Sequence, residues 1–236
     1  DKAYSQNSET NFYLDKLNVK NIKSIGNLKF IENHNYKTDK ADKKIFSQFK
    51  KYKTFIAAST HESEELFAAR THILLNKKNK NLITIIIPRH INRVGQIISE
   101  ISELGLKVVT RSSNKVELKN IDIFIVDTFG ETEKFYKFAT TVFLGKSIVK
   151  GGGQNPLEPA RFGAKILHGP GVSNFKDVYK YLKQLKISSE VNSPKKCANS
   201  VIFKKNMKKV KKMKYLSSSI LKKTLNELDK SIHNEI

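Results

Sequence analysis

The chain has 236 residues, 39% of them hydrophobic, and a formal net charge of +22. That length supports one or two domains with a buried core, and no apolar run reaches the roughly 18 residues that a membrane-spanning helix needs. The lone cysteine, Cys197, excludes an internal disulfide and fits a reducing compartment, and the six histidines are too scattered to suggest a metal site.

The opening Asp1-Lys2-Ala3-Tyr4 is neither a signal peptide nor a membrane span, and without an initial Met the chain reads as part of a longer protein or as a processed product. The positive charge invites a nucleic-acid reading. Its composition argues against one, because only five of the 44 basic residues are arginine: Arg70, Arg89, Arg93, Arg111 and Arg161. Nucleic-acid recognition leans on the planar arginine fork. Lysine spread along the whole chain instead gives solvated faces and a weak attraction to anionic membrane surfaces. It is densest from Lys204 to Lys214.

Residues 1–50 are polar and weakly patterned, containing Leu17 to Leu28, then Lys29-Phe30 and a Lys/Asn/Asp-rich linker to about Lys53. Regular patterning starts at residue 53. Strands are predicted at 53–58, 82–87, 107–111, 121–126, 141–144 and 165–168, and helices at 62–76, 92–104, 130–138, 156–162 and 175–185. Short β-branched runs alternating with amphipathic helices predict βαβ units, a Rossmann-like parallel sheet covered by helices on both faces. Ligands of such sheets bind beyond the carboxyl ends of the strands. From Ala198 to Leu228 helical periodicity returns (Phe203, Met207, Val210, Met213, Leu216, Ile220, Leu221, Leu225, Leu228) and predicts one or two basic amphipathic helices. They either pack on the body of the protein or lie on a membrane surface.

Four clusters fall directly after predicted strands. In Ala58-Ser59-Thr60-His61-Glu62-Ser63-Glu64-Glu65, Ser59 or Thr60 caps the next helix and the acids suit its first turn, or the hydroxyls and N–H groups hold an anion. In Pro88-Arg89-His90-Ile91-Asn92-Arg93, Arg89 emerges at a strand tip, suited to a bidentate phosphate contact, unless the loop is simply solvated. In Asp127-Thr128-Phe129-Gly130-Glu131, Gly130 permits close approach, Glu131 opens a helix, and Phe129 packs either on a base or sugar or into the core. The fourth, Gly151-Gly152-Gly153-Gln154-Asn155-Pro156-Leu157-Glu158-Pro159-Ala160, is a glycine-rich loop feeding a helix start, with Asn155 as cap, Pro156 as first helical residue and Glu158 in the first turn. That arrangement favours an anion, although a strand–loop–helix turn alone also accounts for it. Glu62, Glu131 and Glu158 are the candidate ligand-binding carboxylates. No Ser-His-Asp triad, Walker lysine or metal-ligand cluster accompanies them, and nothing marks a general base.

Taken together, Ala57-Ala58-Ser59-Thr60-His61-Glu62, Pro88-Arg89-His90, Val126-Asp127-Thr128-Phe129-Gly130-Glu131 and Gly152–Ala160, with Gly169-Pro170 and Asn174-Phe175 following in order, resemble the C-terminal half of the 3-deoxy-D-manno-octulosonic acid (Kdo) transferases. These are GT-B glycosyltransferases of lipid A biosynthesis. The resemblance runs from about Gly26–Phe30 to residue 185, and more loosely to the C-terminal helix.

It implies a donor domain for CMP-Kdo, with Pro88, Arg89, Phe129, Gly130, Glu131, Asn155, Pro156, Leu157 and Glu158 contacting CMP. Residue chemistry adds Arg89 and the Gly130 helix start for phosphate, and Glu158 for ribose hydroxyls. It further implies an inverting transfer to a lipid A precursor at the cytoplasmic face of the inner membrane, with no cofactor, no metal and no nucleic-acid partner. The catalytic base, acceptor site and membrane anchor belong to an N-terminal GT-B half that nothing here matches. Three positions depart from the family pattern: Gln154 replaces a common His, Phe129 a common Met, and Lys146 interrupts an expected Gly-Gly-Ser. The expected organisation is a tail of the N-terminal domain and linker over 1–50, the donor domain over 51–190 and a basic helical segment over 191–236. The alternatives are a basic nucleic-acid or membrane-surface module on the same fold, a GT-B domain for a UDP-sugar, or a degenerate fragment.

Overall fold

The computed structural model describes residues 2–6, 8–28, 40–113, 117–149, 151–205 and 207–233. The chain divides into two compact units, one formed by residues 1–35 and 210–236 and the other by residues 36–209.

In the first unit, β1 (Ala3–Ser5) pairs in parallel with β2 (Ile22–Ser24), and α1 (Ser8–Lys16) connects them. Gly26 follows β2, and a Cβ there would meet Ile220 Cγ1 at 3.2 Å. The Lys23 ammonium reaches Glu227 Oε2 at 2.6 Å. Expectations for Lys29, Phe30 and the linker residues 31–39 lie outside the described residues.

The second unit opens with α2 (Lys40–Phe49), a helix inside the segment expected to be linker. Its apolar residues Ile45, Phe46 and Phe49 are too few for a clear period, yet all three are buried. Phe49 meets Phe124 edge-on at 5.2 Å and Phe46 meets Phe135 at 5.6 Å, so packing fixes a helix that the lysines around it obscure.

The sheet follows: β3 (Lys53–Thr60), α3 (Glu64–Asn76), β4 (Leu82–Pro88), α4 (Val94–Ser102), β5 (Val108–Thr110), β6 (Ile123–Ile125), α5 (Thr132–Tyr136), β7 (Thr141–Leu144), α6 (Leu157–Arg161), β8 (Lys165–His168), α7 (Lys176–Gln184), β9 (Ser188–Glu190) and α8 (Pro194–Ser200). Its seven strands run in the order β5-β6-β4-β3-β7-β8-β9, and all six pairings are parallel. Alternate residues feed opposite faces. Phe55, Ala57, Ile86, Ile123, Ile125 and Phe143 pack with α3, α4 and α8, whereas Phe124 turns to α2 and α5. The expected α/β sheet with helices on both faces is the observed architecture.

Beyond residue 53, β9 and α8 also lie outside the expected elements. β9 is a polar edge strand, Ser188-Ser189-Glu190, without an apolar pattern. In α8, Ser193 Oγ caps the helix by accepting the Lys196 N–H at 3.3 Å, and Pro194 opens it. Cys197 on α8 is fully buried, and burial pushes its thiol up to about 12, far from a reactive thiolate. The C-terminal helix α9 spans Met207–His233. Met213 and Ile220 are buried, while Tyr215, Leu221, Leu225 and Leu228 are exposed. Expectations for the side chains of Met207, Val210 and Leu216 lie outside the described residues. Among those described, no helix is long and apolar enough to cross a membrane.

Candidate functional site

Strand order locates the crevice. From β3 the chain moves to β4 on one side, and it later returns to β7 on the other. The loops leaving the carboxyl ends of β3 and β7 therefore diverge, which is where open α/β sheets hold ligands.

The side chain that organises this crevice is Glu64, which is fully buried. Its Oε2 accepts the N–H groups of His61 at 3.0 Å and Lys146 at 2.7 Å. Its Oε1 accepts those of Ser147 at 3.0 Å and Ile148 at 2.9 Å. One carboxylate thus satisfies four backbone donors from both diverging loops, which offsets the cost of burying its charge. A Cβ on Gly145 would lie 2.6 Å from Glu64 Oε2, so only glycine admits this approach. Residue chemistry placed Glu64 in the first helical turn but gave no sign of its loop partners, which are more than 80 positions away in sequence.

The capping expectation for Ser59 and Thr60 is corrected here. Thr60 is the last residue of β3, and Ser63 takes the position before α3 with no side-chain cap bond. Ser59 and Ser63 both adopt left-handed backbone, φ 54 and 69, and the turn they make leaves Glu64 to reach back to the His61 N–H.

After β4, Pro88 is buried as the last strand residue. Arg89 is exposed and its N–H donates to the Thr60 carbonyl at 2.9 Å, which ties the β3 and β4 tips together. Arg93 serves structure instead: its Nη1 stands 3.3 Å from Oε1 of the fully buried Glu65. The His61 and His90 rings meet edge to face at 5.5 Å.

After β6, Phe129 is 79% exposed, so it is no core anchor. Nothing lies within 4 Å of a Cβ on Gly130, and its φ of 74 is the left-handed turn into α5. Glu131 caps no helix with its side chain, and α5 starts at Thr132. The Glu131 carboxylate instead binds Arg111 Nε at 3.1 Å and Lys134 Nζ at 3.0 Å, and accepts from Thr128 Oγ1. Burial raises its pKa, but the hydrogen bonds from Thr128, Lys134 and Arg111 outweigh that and hold it below the ordinary carboxylate range.

After β7, the glycine-rich loop folds back on the protein. Gly153 N–H donates to the Lys146 carbonyl at 2.8 Å, and Asn174 N–H to Gly152 at 3.0 Å. A Cβ on Gly151 would strike Lys146 at 2.7 Å, and one on Gly152 the Asn174 side chain at 2.6 Å. These glycines pack closely against their own neighbours, where a side chain would not fit. Gln154 offers its carbonyl to Tyr179 Oη at 3.1 Å, and the Tyr179 ring packs on His168 at 4.3 Å. α6 starts at Leu157, one residue later than expected, with Pro156 before it. Asn155 still makes the cap bond, its Oδ1 accepting the Leu157 N–H at 3.1 Å. Glu158 lies half-buried in the first turn, and Tyr136, fully buried, feels its charge. Lys146 adopts φ 55, the conformation a glycine takes freely, so lysine at this point preserves the loop's shape at some strain.

The structure thus places Pro88 at the end of β4, Arg89 after it, Phe129, Gly130 and Glu131 after β6, and Asn155–Glu158 between β7 and β8 at the start of α6, all following strands that run parallel in one sheet. Among the described residues no three His, Cys, Asp or Glu side chains cluster to hold a metal ion.

The seven-stranded parallel sheet has the fold of the C-terminal domain of a GT-B glycosyltransferase. The chain aligns with the solved C-terminal CMP-Kdo binding domain of WaaA from Acinetobacter baumannii at a TM-score of 0.62, covering 78% of this chain and 97% of that one at 20% identity, a likeness of fold. By sequence the chain is a relative of the 3-deoxy-D-manno-octulosonic acid transferases. It is 32% identical to that of Haemophilus influenzae over 183 residues, 76% of this chain and 41% of the relative. It is 30% identical to that of Rickettsia prowazekii over 209 residues, 87% of this chain and 44% of the relative. The chain therefore matches less than half the length of these relatives. No family model matches it.

Proposed function

We propose that this chain is the donor-binding half of a Kdo transferase, holding CMP-Kdo on the carboxyl edge of its sheet. The observation that carries the reading is that three loops leave the same carboxyl edge, with an exposed arginine at one, an exposed aromatic on the second and an asparagine-capped helix start on the third. Arg89 offers a bidentate fork to the phosphate. Phe129 stacks on the cytosine, the Gly130 turn brings backbone close to the ligand, and Glu131, already bound to Arg111, fixes the turn's shape. Pro88 rigidifies the strand tip behind Arg89. Asn155, Pro156 and Leu157 present the α6 start, and Glu158 accepts from ribose hydroxyls. Stabilising charge on the departing phosphate is the main service such a site gives to transfer.

The whole reaction needs a second half that supplies acceptor site and base. In this reading it transfers Kdo to a lipid A precursor at the cytoplasmic face of the inner membrane, with basic α9 aiding attraction to the anionic surface. In this reading the nucleotide is held by the unit of residues 36–209, in which α2 and α8 pack against the sheet, while residues 1–35 and 210–236 form the other unit.

Calorimetric titration with CMP, UMP and AMP at near-physiological salt tests this. Selective CMP binding, weakened in Arg89→Lys, supports it. Equal, salt-sensitive binding of all three would show that charge alone is acting.

A further inference from the structure

His61 sits at the carboxyl end of β3, the central strand beside the switch point, between the loop that carries Arg89 and the loop that starts at Gly145. It is held at three points. Its backbone N–H donates to Glu64 Oε2 at 3.0 Å. Its Nδ1 lies 3.1 Å from the Ser59 carbonyl oxygen. Its ring packs edge to face against His90. A carbonyl oxygen only accepts, so Nδ1 carries the proton. In a neutral ring Nε2 then bears the lone pair. Nε2 makes no hydrogen bond within the protein and is not one of its buried unpaired polar atoms, so it keeps access to solvent at the carboxyl end of β3.

The groups facing the ring support the neutral form. Burial lowers its pKa; the Ser59 carbonyl and the Glu64 carboxylate oppose this, while His90 and Lys146 add to it, and the net direction is down. A neutral imidazole with Nδ1 occupied is an acceptor at Nε2. It repels a phosphate oxygen and suits an O–H donor.

We propose that His61 Nε2 accepts a hydrogen bond from a hydroxyl of the sugar carried on the donor's phosphate, making His61 a contact that distinguishes the nucleotide-sugar from the bare nucleotide. This rests on the donor-site reading above. Arg89 serves the phosphate and Glu158 the ribose, which leaves the sugar as the hydroxyl-bearing group nearest the centre of the sheet edge. Glu64 acts through His61 as a positioning residue, since it fixes the turn from which the ring projects.

The test titrates the full chain and two variants, His61→Phe and His61→Gln, with CMP and with CMP-Kdo. The wild type gains affinity from the sugar. In His61→Phe that gain falls about tenfold, the scale of one neutral hydrogen bond, while CMP binds as before. His61→Gln, whose side-chain oxygen reaches the Nε2 position, keeps most of the gain. Equal weakening of CMP and CMP-Kdo in His61→Phe overturns the proposal, because the ring would then serve the nucleotide. An unchanged CMP-Kdo affinity in that variant overturns it too, as does a wild type that gains nothing from the sugar. A wild type that binds neither ligand overturns the donor-site reading itself, and this proposal with it.

Discussion

The Glu64 carboxylate occupies the space that a side chain at position 145 would need: a Cβ on Gly145 would lie 2.6 Å from Glu64 Oε2. The two residues make one device at the divergence of the β3 and β7 loops. Glu64→Gln replaces one acceptor oxygen with a donor that faces two backbone N–H groups. It is expected to destabilise the fold by about 3 kcal/mol and to weaken CMP binding about tenfold. Urea unfolding and calorimetry check this. Stability within error of the wild type would mean the four backbone donors find other partners.

Gly169 is the second close approach. A Cβ there would stand 2.2 Å from the Ser147 carbonyl oxygen, while the Gly169 N–H donates to Ser147 Oγ at 2.8 Å. The atoms it would meet are backbone of Ser147 and Ile148, which cannot swing aside as a side chain can. Gly169→Ala should therefore cost about 3 kcal/mol, read as a lowered urea midpoint with an unchanged slope.

Lys146 gives a prediction of opposite sign. Its φ of 55 is strained for lysine and free for glycine. Lys146→Gly is expected to stabilise by about 1 kcal/mol, which corresponds to a rise of roughly 2–4 °C in Tm for a chain of this size. The gain is reversed if the lysine stem packed over Gly151 is worth more than the strain, and a fall in Tm would show that the packing wins.

These positions mark where sequence reasoning stopped. The strands at 141–144 and 165–168 were legible because short apolar runs, Val142-Phe143-Leu144 and Ile166-Leu167, are local signals. The loops after β4, β6 and β7 were legible as site material from residue type: an arginine at a strand tip, an aromatic beside a glycine, an Asn-Pro helix start. The role of Glu64 was not, since its meaning lies in N–H groups of residues 146–148, which no local pattern connects to it. The placing of Gly151 and Gly152 against Lys146 and Asn174 was hidden for the same reason. In α8, the Ser193-Pro194 start was present in the sequence and could have been read.

Two carboxylates should tilt stability with pH in opposite directions. Burial raises the Glu65 pKa above the ordinary 4.5, and the nearby Arg93 offsets this only in part. The folded state then binds the proton more tightly than the unfolded chain, so stability falls as pH rises from about 4.5 through the folded value. Glu131 is held below 4.5, so its contribution is present above that value and is lost as pH falls through the folded one. Urea unfolding of Glu65→Gln and Glu131→Gln from pH 3 to 7 reads both. Relative to the wild type, Glu65→Gln should gain as pH rises and Glu131→Gln should gain as pH falls. Parallel curves would show that neither group titrates differently on folding.

Phe129 separates binding from stability most cleanly. At 79% exposure the ring contributes little to the fold, and no ring partner for it is found among the described residues. An exposed aromatic beside a left-handed glycine turn is an expense in solubility that a binding site explains. Phe129→Ala should leave Tm within about 1 °C, as surface substitutions generally do. If the ring stacks on the cytosine, the loss is about 1–3 kcal/mol of affinity, a five- to hundredfold rise in the Kd for CMP. Phe129→Met should recover part of that loss through sulfur–ring contact. A CMP affinity unchanged in Phe129→Ala would remove the base from the β6 loop and leave Arg89 and the α6 start to hold the nucleotide through its phosphate and ribose.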